Sequence, residues 1–153
     1  RPNIIRMAKR YFELPDSDRM EIVEGDALDY IAVTADKKVD LLFSDLFGPE
    51  GLDLRQLDKD FFAHCHRCLK PSGWLVLNCW AEHKKTLQLK SVIAPYFPII
   101  YELKTSTGNW VLLLSKKEVS DSQAVLEKRG QKISREWQLP LSAYHKKIKR
   151  LVV

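Results

Sequence analysis

Three polar side chains stand where predicted strands end, and together they offer hydrogen-bonding groups to a polar ligand. They are Asp26, Asp45 and Asn78. Each follows or lies within an apolar stretch of strand length, and these stretches cover residues 20–23, 39–43 and 74–80. In open α/β sheets, ligands bind beyond the carboxyl ends of the parallel strands. The spacing therefore predicts that the three side chains share one site.

Each of these residues also has a purely structural interpretation. Asp26 directly precedes a predicted helix, where an aspartate is a common N-cap. Asp45 precedes a Gly-Pro turn that it could simply stabilise. A single asparagine such as Asn78 is weak evidence for a site. Their occurrence at successive strand ends favours a site over three unrelated roles.

The elements that would position these residues alternate between strand and helix patterns. Helices are predicted at residues 2–12, 26–33, 58–69 and 81–94, and strands at residues 20–23, 39–43, 74–80, 99–104 and 110–115. The run at 39–43 is almost continuously apolar, which is typical of a strand buried on both faces of a parallel sheet. The last two strands are too close for a crossover helix and should pair antiparallel. This order predicts an α/β domain that closes with a hairpin.

The charge is concentrated at the C-terminal end of the chain. The 153 residues carry a net charge of +5, and residues 116–153 hold ten basic and four acidic side chains. We predict a basic helical extension there, with a capping box at Ser120 and Gln123 and a stop at Gly130. Such charge runs are usually solvated faces, and nucleic-acid binding is the less favoured alternative.

The cysteines and the hydropathy pattern bear on metal binding and location. Cys65 and Cys68 have metal-like spacing, but both fall on the apolar face of the helix predicted at 58–69. We therefore expect them to be core residues and expect no metal site.

Three cysteines are an odd number, which fits a reducing compartment. No apolar run approaches the roughly 20 residues of a membrane span, so we expect a cytoplasmic protein without a membrane segment.

Six short stretches resemble the spermidine synthase-like branch of the class I S-adenosylmethionine-dependent methyltransferase fold. They occur in the family's order, from the N-terminus to about residue 117, at residues 11–15 (YFELP), 23–27 (VEGDA), 39–47 (VDLLFSDLF), 61–62 (FF), 68–73 (CLKPSG) and 77–80 (LNCW). The resemblance implies a Rossmann-like methyltransferase fold with a mostly parallel sheet, flanking helices and a C-terminal antiparallel hairpin. It divides the chain into a partial methyltransferase-like domain at 1–117 and the basic extension at 118–153.

The same resemblance implies a cofactor and roles for the strand-end residues. The cofactor would be S-adenosylmethionine or its decarboxylated form, and its binding residues would be Gly25, Asp26, Ala27, Asp45 and Leu46. Asp26 and Ala27 would meet the adenine, Asp45 would also engage the attacking amine as the catalytic residue, and Asn78 would bind substrate. An amine is nucleophilic only when neutral, and a nearby carboxylate can accept its proton.

Two departures from the family pattern stand out. Aminopropyltransferases of this family have an Asp-x-x-Asp pattern, and Gly48 replaces its second aspartate. No G-x-G occurs in the chain, although the family's first loop is glycine-rich. We therefore expect the chain to be N-terminally truncated, and expect this fragment alone to be inactive.

The leading hypothesis is a transferase that moves an aminopropyl or methyl group from the cofactor to a small-molecule amine, as in polyamine biosynthesis. One alternative is a methyltransferase acting on RNA or another substrate. A second is a degenerate, non-catalytic binding domain. Homo-oligomer formation is left open by the sequence.

Overall fold

The computed structural model describes residues 2–85, 88–119, 121–140 and 147–152. The helices are α1 (Pro2–Tyr11), α2 (Ala27–Val33), α3 (Lys59–Cys68) and α4 (Gln123–Glu136). The strands are β1 (Val39–Ser44), β2 (Phe47–Gly48), β3 (Gly51–Leu52), β4 (Leu69–Trp80), β5 (Ile99–Lys104), β6 (Asn109–Ser115) and β7 (Lys149–Leu151). Leu54–Leu57 and Ala81–Lys85 form 3₁₀ turns, and Leu89–Ile93 forms a π-helical turn.

Five strands form one sheet in the order β1-β4-β6-β5-β7, and β2 and β3 form a separate small hairpin. β1 runs parallel to β4, and its last residue, Ser44, lies opposite Leu77. The remaining pairs, β4–β6, β6–β5 and β5–β7, are antiparallel. The parallel register brings the end of β1 beside the end of β4, which is where the polar residues of the sequence occur.

The core lies between β4 and α3. Along β4, Leu75, Leu77 and Cys79 are buried while the residues between them are more exposed, as expected when one face of a strand packs inward. The face of α3 toward the sheet carries Phe61, Phe62, Cys65 and Cys68. Full burial of a side chain the size of Phe62 or Leu77 stabilises the fold by about 1.5–3 kcal/mol.

Arg67 joins α3 to the C-terminal end of α2. Its guanidinium donates to the backbone carbonyls of Ile31 (3.1 Å), Ala32 (2.8 Å) and Thr34 (2.5 Å). The last carbonyls of a helix have no partner within the helix and carry partial negative charge. A cation that caps them stabilises α2 and fixes its position on α3.

Much of the predicted layout is confirmed. The structure contains the helices predicted at 2–12, 26–33 and 58–69 within one or two residues, and the strands at 39–43, 99–104 and 110–115. The strand predicted at 74–80 is present but begins earlier, at Leu69. The α/β class and the antiparallel pairing of the closing hairpin are also confirmed.

The strand predicted at residues 20–23 is not formed. Met20, Ile22 and Val23 are 36%, 38% and 49% exposed, and no described strand pairs with them. A strand needs a partner for its backbone groups, and β1 is the edge of the sheet on this side. Among the described strands, parallel pairing is therefore limited to β1 and β4.

Two helix predictions also differ from the structure. Residues 81–94 form short 3₁₀ and π turns on either side of residues 86–87, which are not described, instead of one helix. Pro95 disfavours helical geometry at Ala94, so the last turn ends at Ile93. α4 continues past Gly130 to Glu136, since a glycine inside a helix costs only about 1 kcal/mol. Ser120 lies outside the described residues.

The C-terminal extension is helical at α4 and then adds β7 to the sheet through pairing with β5. Within the described ranges, no helix combines the length and apolarity needed to cross a bilayer.

Candidate active site

Asp26 caps the N-terminus of α2. Its Oδ1 accepts a hydrogen bond from the Leu28 backbone N–H at 2.8 Å, and its backbone is extended, with φ −79° and ψ 130°. The Leu28 N–H and the Arg55 guanidinium stabilise the charged form and hold the pKa of Asp26 below its usual value. The N-cap interpretation is therefore correct, and it leaves Oδ2 directed to Arg55.

Asp45 and Asn78 are in direct contact. Asn78 Nδ2 donates to Asp45 Oδ1 at 2.9 Å, across the parallel β1–β4 pair. Asp45 is exposed, whereas Asn78 Oδ1 is buried and accepts no hydrogen bond from any residue that the structure describes. A buried acceptor without a donor is costly. The pair therefore presents a carboxylate with an unsatisfied amide oxygen close by.

Arg55 links the Asp26 side of the site to the turn that follows β3. Its Nη1 lies 3.1 Å from Asp26 Oδ2, while Nη2 and Nε lie 2.6 Å and 3.0 Å from the two carboxylate oxygens of Asp53. This two-pronged contact is the favoured geometry of an arginine–carboxylate pair. Arg55 lowers the pKa of Asp53, and both carboxylates raise the pKa of Arg55. Because Arg55 is 58% exposed at the side chain, solvent screens these contacts.

These elements enclose a cavity of about 350 Å³. It is lined by all five predicted cofactor residues, Gly25, Asp26, Ala27, Asp45 and Leu46, and also by Leu28, Phe47, Gly48, Asp53 and Arg55. Asn78 is not in the lining and reaches the site through Asp45. The volume falls at the lower end of the range of small-molecule sites, about 300–1,000 Å³. The structure thus brings the predicted residues to one place.

A second cavity of about 650 Å³ lies beside the exposed edge of β1. Its walls are mainly apolar and include Leu41 and Phe43, which are 49% and 70% exposed. It contains neither Asp26 nor Asp45. The smaller cavity is the better candidate for the active site because Asp26, Asp45 and Asp53 line it.

The β2–β3 hairpin forms the outer wall near Asp45. Phe47 packs against Trp80 with ring centroids 5.5 Å apart. Gly51 has φ +109°, and a Cβ there would lie 2.7 Å from Trp80 Cη2. Only glycine therefore allows the hairpin to lie this close to the indole.

The cysteines have a structural role. Cys65, Cys68 and Cys79 are buried and free of disulfides. Burial raises the pKa of all three thiols, that of Cys79 to about 12, so they are protonated at neutral pH. Among the described residues, no three His, Cys, Asp or Glu side chains are grouped to hold a metal ion.

Asp53, Arg55 and Gln56 belong to the site or adjoin it, but they were not predicted from the sequence. The only signal in the sequence was the set of charged and polar residues at positions 53, 55, 56 and 58, between which two leucines stand. Such a pattern is typical of any exposed turn. The pairing of Arg55 with Asp26, 29 positions away, becomes visible only in the folded chain.

Comparison with known proteins gives a family and a fold. The sequence model of the spermine/spermidine synthase domain matches residues 2–122, most of the chain. The chain is also 32% identical, over 77 residues, to a polyamine aminopropyltransferase of Methylococcus capsulatus. That alignment covers 48% of this chain and 27% of the relative, so the chain spans only part of that enzyme.

Two solved structures share the fold. Human methyltransferase-like protein 13 in complex with SAH superposes with a TM-score of 0.79 at 21% identity, covering 92% of this chain and 69% of that one. A probable spermidine synthase from Corynebacterium glutamicum gives a TM-score of 0.70 at 20% identity, covering 97% and 54%. These likenesses establish the methyltransferase-like fold, and the family match agrees with the motifs at 23–27 and 39–47. The chain belongs to the spermine/spermidine synthase family.

Proposed function

We propose that the full-length protein is a transferase that moves an aminopropyl or methyl group from an S-adenosylmethionine-type cofactor to a small-molecule amine. The observation that carries this proposal is Asp45, which accepts a hydrogen bond from Asn78 and lines the same cavity as Asp26 and Ala27. The family membership and the aminopropyltransferase relative support the reaction type.

The residues present fit the adenine end of such a cofactor. Asp26 Oδ2 is an acceptor on the cavity wall, and Ala27 and Leu46 add apolar surface beside it. Arg55 donates two hydrogen bonds to Asp53, so it can remain there if Asp26 turns to a ligand amino group. We assign Gly25, Asp26, Ala27 and Leu46 to this end, and Asp45 to the end where transfer occurs.

When bound, the cofactor supplies an electrophilic carbon attached to a sulfonium sulfur. Asp45 orients the lone pair of a neutral amine toward that carbon and accepts the proton that the nitrogen loses as its bond to carbon forms. The cofactor would supply the leaving group, a thioether that keeps the electron pair of the broken carbon–sulfur bond. Asn78 holds Asp45 Oδ1, so Oδ2 is the oxygen that faces the amine.

Gly48 favours a second candidate, a methyltransferase acting on a substrate with one amino group. It lines the cavity where a second carboxylate would be expected to hold the far end of a diamine. A substrate with a single amine needs only Asp45. In this second candidate the acceptor is a monoamine and the transferred group is methyl.

Product analysis distinguishes the candidates. The full-length protein is incubated with S-adenosylmethionine or its decarboxylated form and with 1,4-diaminobutane or monoamines, and products are identified by mass spectrometry. Aminopropyl transfer releases methylthioadenosine, and methyl transfer releases S-adenosylhomocysteine. Absence of both by-products with every amine would favour a non-catalytic binding domain.

We also propose a cytoplasmic location, with which the three reduced, buried thiols agree.

A further inference from the structure

Gln56 is a fully buried polar residue next to the site. It lies in the 3₁₀ turn Leu54–Leu57 and is 0% exposed. A buried amide is costly unless its donor and acceptor are both satisfied. In this structure Oε1 accepts from Ser44 Oγ at 2.8 Å, and Nε2 donates to the Leu46 carbonyl at 2.8 Å. Its burial is therefore compensated by two hydrogen bonds.

The two partners of Gln56 are the residues on either side of Asp45. Ser44 is the last residue of β1 and is 4% exposed, so its side chain has little freedom. The Leu46 carbonyl accepts a second hydrogen bond from the Asp53 backbone N–H, at 2.9 Å. The backbone is thus fixed directly before and directly after Asp45, while the Asp45 carboxylate itself stays exposed.

The same turn also carries the contact to the other side of the cavity. Arg55 precedes Gln56 and pairs with Asp26 at 3.1 Å. A shift of this turn would therefore change the position of Asp45 relative to Asp26. Gln56 is the buried attachment of that turn to the end of β1.

We propose that Gln56 is a positioning residue that sets the geometry of Asp45 for transfer. The proposal rests on the proposed function, because it assigns Gln56 to the rate of that reaction. A misplacement of about 1 Å can lower a reaction rate about 100-fold. Cofactor binding should depend on Gln56 much less, because Asp26 is independently held by the N-terminus of α2.

Two substitutions and a matched control test the proposal in the full-length protein. Gln56→Leu keeps the volume but removes both hydrogen bonds. Gln56→Glu keeps the acceptor for Ser44. When the glutamate is ionised, however, an acceptor oxygen faces the Leu46 carbonyl, and the hydrogen bond to that carbonyl is lost. Ser115→Ala is the control: Ser115 is also buried, at 2% exposure, and its side chain also bonds to backbone. It lies opposite Trp74, far along β4 from Asn78.

We expect Gln56→Leu to lower kcat by about 10-fold to 100-fold, with the dissociation constant for S-adenosylhomocysteine within about twofold. Protonation restores a donor at position 56, and burial raises the pKa of a glutamate. The kcat of Gln56→Glu relative to wild type should therefore increase as the pH is lowered from about 8 to about 6. Ser115→Ala should leave kcat unchanged. A general loss of structure would not produce this pH-dependent ratio.

Hydrogen exchange at the Asp53 amide, which donates to Leu46, reports the local effect independently of activity. Faster exchange in Gln56→Leu together with a wild-type kcat would overturn the positioning role and leave the proposed function intact. Loss of cofactor binding in parallel with kcat would also overturn it, because Gln56 would then be a general structural residue. No transfer by the unsubstituted protein with any amine would overturn the proposed function, and the role of Gln56 with it.

Discussion

Asn78 Nδ2 lies 2.9 Å from Asp45 Oδ1, and this hydrogen bond joins the ends of two parallel strands that are 33 positions apart in the sequence. The Ser44–Leu77 register of the sheet brings the two residues together. One carboxylate oxygen is thereby occupied, which fixes the direction of the other. The contact converts a flexible surface aspartate into an oriented one.

Removal of the Asn78 amide should slow transfer. A hydrogen bond to a charged group contributes about 1.5–3 kcal/mol, so Asn78→Ala is expected to lower kcat about 10-fold to 100-fold. Asn78→Gln, which retains an amide, should lose less. Steady-state kinetics of both variants tests this, and an unchanged kcat in Asn78→Ala would show that Asp45 does not need this contact.

The Gly51–Trp80 contact should be essential for the β2–β3 hairpin. Gly51→Ala would combine a positive φ of +109° with a Cβ 2.7 Å from Trp80 Cη2. Gly108→Ala is the matched control, because Gly108 has φ +92° but open space around its Cβ position. The backbone cost is similar, and the clash should add about 1–3 kcal/mol.

Denaturant unfolding of the two glycine variants gives that difference directly. We also expect only Gly51→Ala to reduce turnover, because the hairpin carries Phe47 and Gly48 at the cavity. Equal stabilities would mean that Trp80 moves aside without cost.

Glu102 should make stability depend on pH. Its carboxylate is 2.5 Å from Lys84 Nζ and 2.8 Å from Trp110 Nε1. Burial alone would raise the pKa of Glu102, but the hydrogen bonds from Lys84 and Trp110 outweigh it, and the pKa is lowered. A lowered folded-state pKa means that this stabilisation is present above the unfolded value, about 4.3, and is lost as the pH falls through the folded-state pKa.

Glu102→Gln should therefore destabilise the protein by about 2 kcal/mol at pH 7 and by much less in acid. Glu118→Gln is the control, since the Glu118–Arg150 ion pair is exposed and should contribute about 0–1 kcal/mol. Unfolding free energies measured from pH 7 to pH 3 provide the comparison. If the difference in unfolding free energy between wild type and Glu102→Gln stayed constant across that range, the pH-dependent contribution assigned to Glu102 would be contradicted.

The sequence was sufficient to predict the elements in which apolar residues recur at the spacing of a helix or a strand. The alternation along β4 and the helical spacing of Phe61, Phe62 and Cys65 each reflect burial on a defined face. The apolar run at β1 does not, because β1 is an edge strand on which Leu41 and Phe43 are 49% and 70% exposed. The strand predicted at 20–23 shows the limit of this reasoning, because an apolar stretch forms a strand only beside a partner. The strand propensity of residues 20–23 does not show whether a neighbouring strand is present.

The site was partly predictable for the same reason. Asp45 and Asn78 were expected to meet because the ends of parallel strands share one edge of a sheet. Arg55 and Gln56 lie in a turn of four residues, which has no periodicity to detect. Their partners, Asp26 and Ser44, are distant in sequence, so only the folded chain shows the contacts.

The most direct test of this account is the turnover of Asp45→Asn in the full-length protein, measured together with its affinity for S-adenosylhomocysteine. The substitution keeps the shape and an acceptor for Asn78 but removes the proton acceptor. Loss of a positioned general base lowers the rate about 100-fold to 10,000-fold, and we expect that loss with nearly unchanged affinity. A variant that transfers at the wild-type rate to every amine would contradict the role of Asp45 and the proposed mechanism.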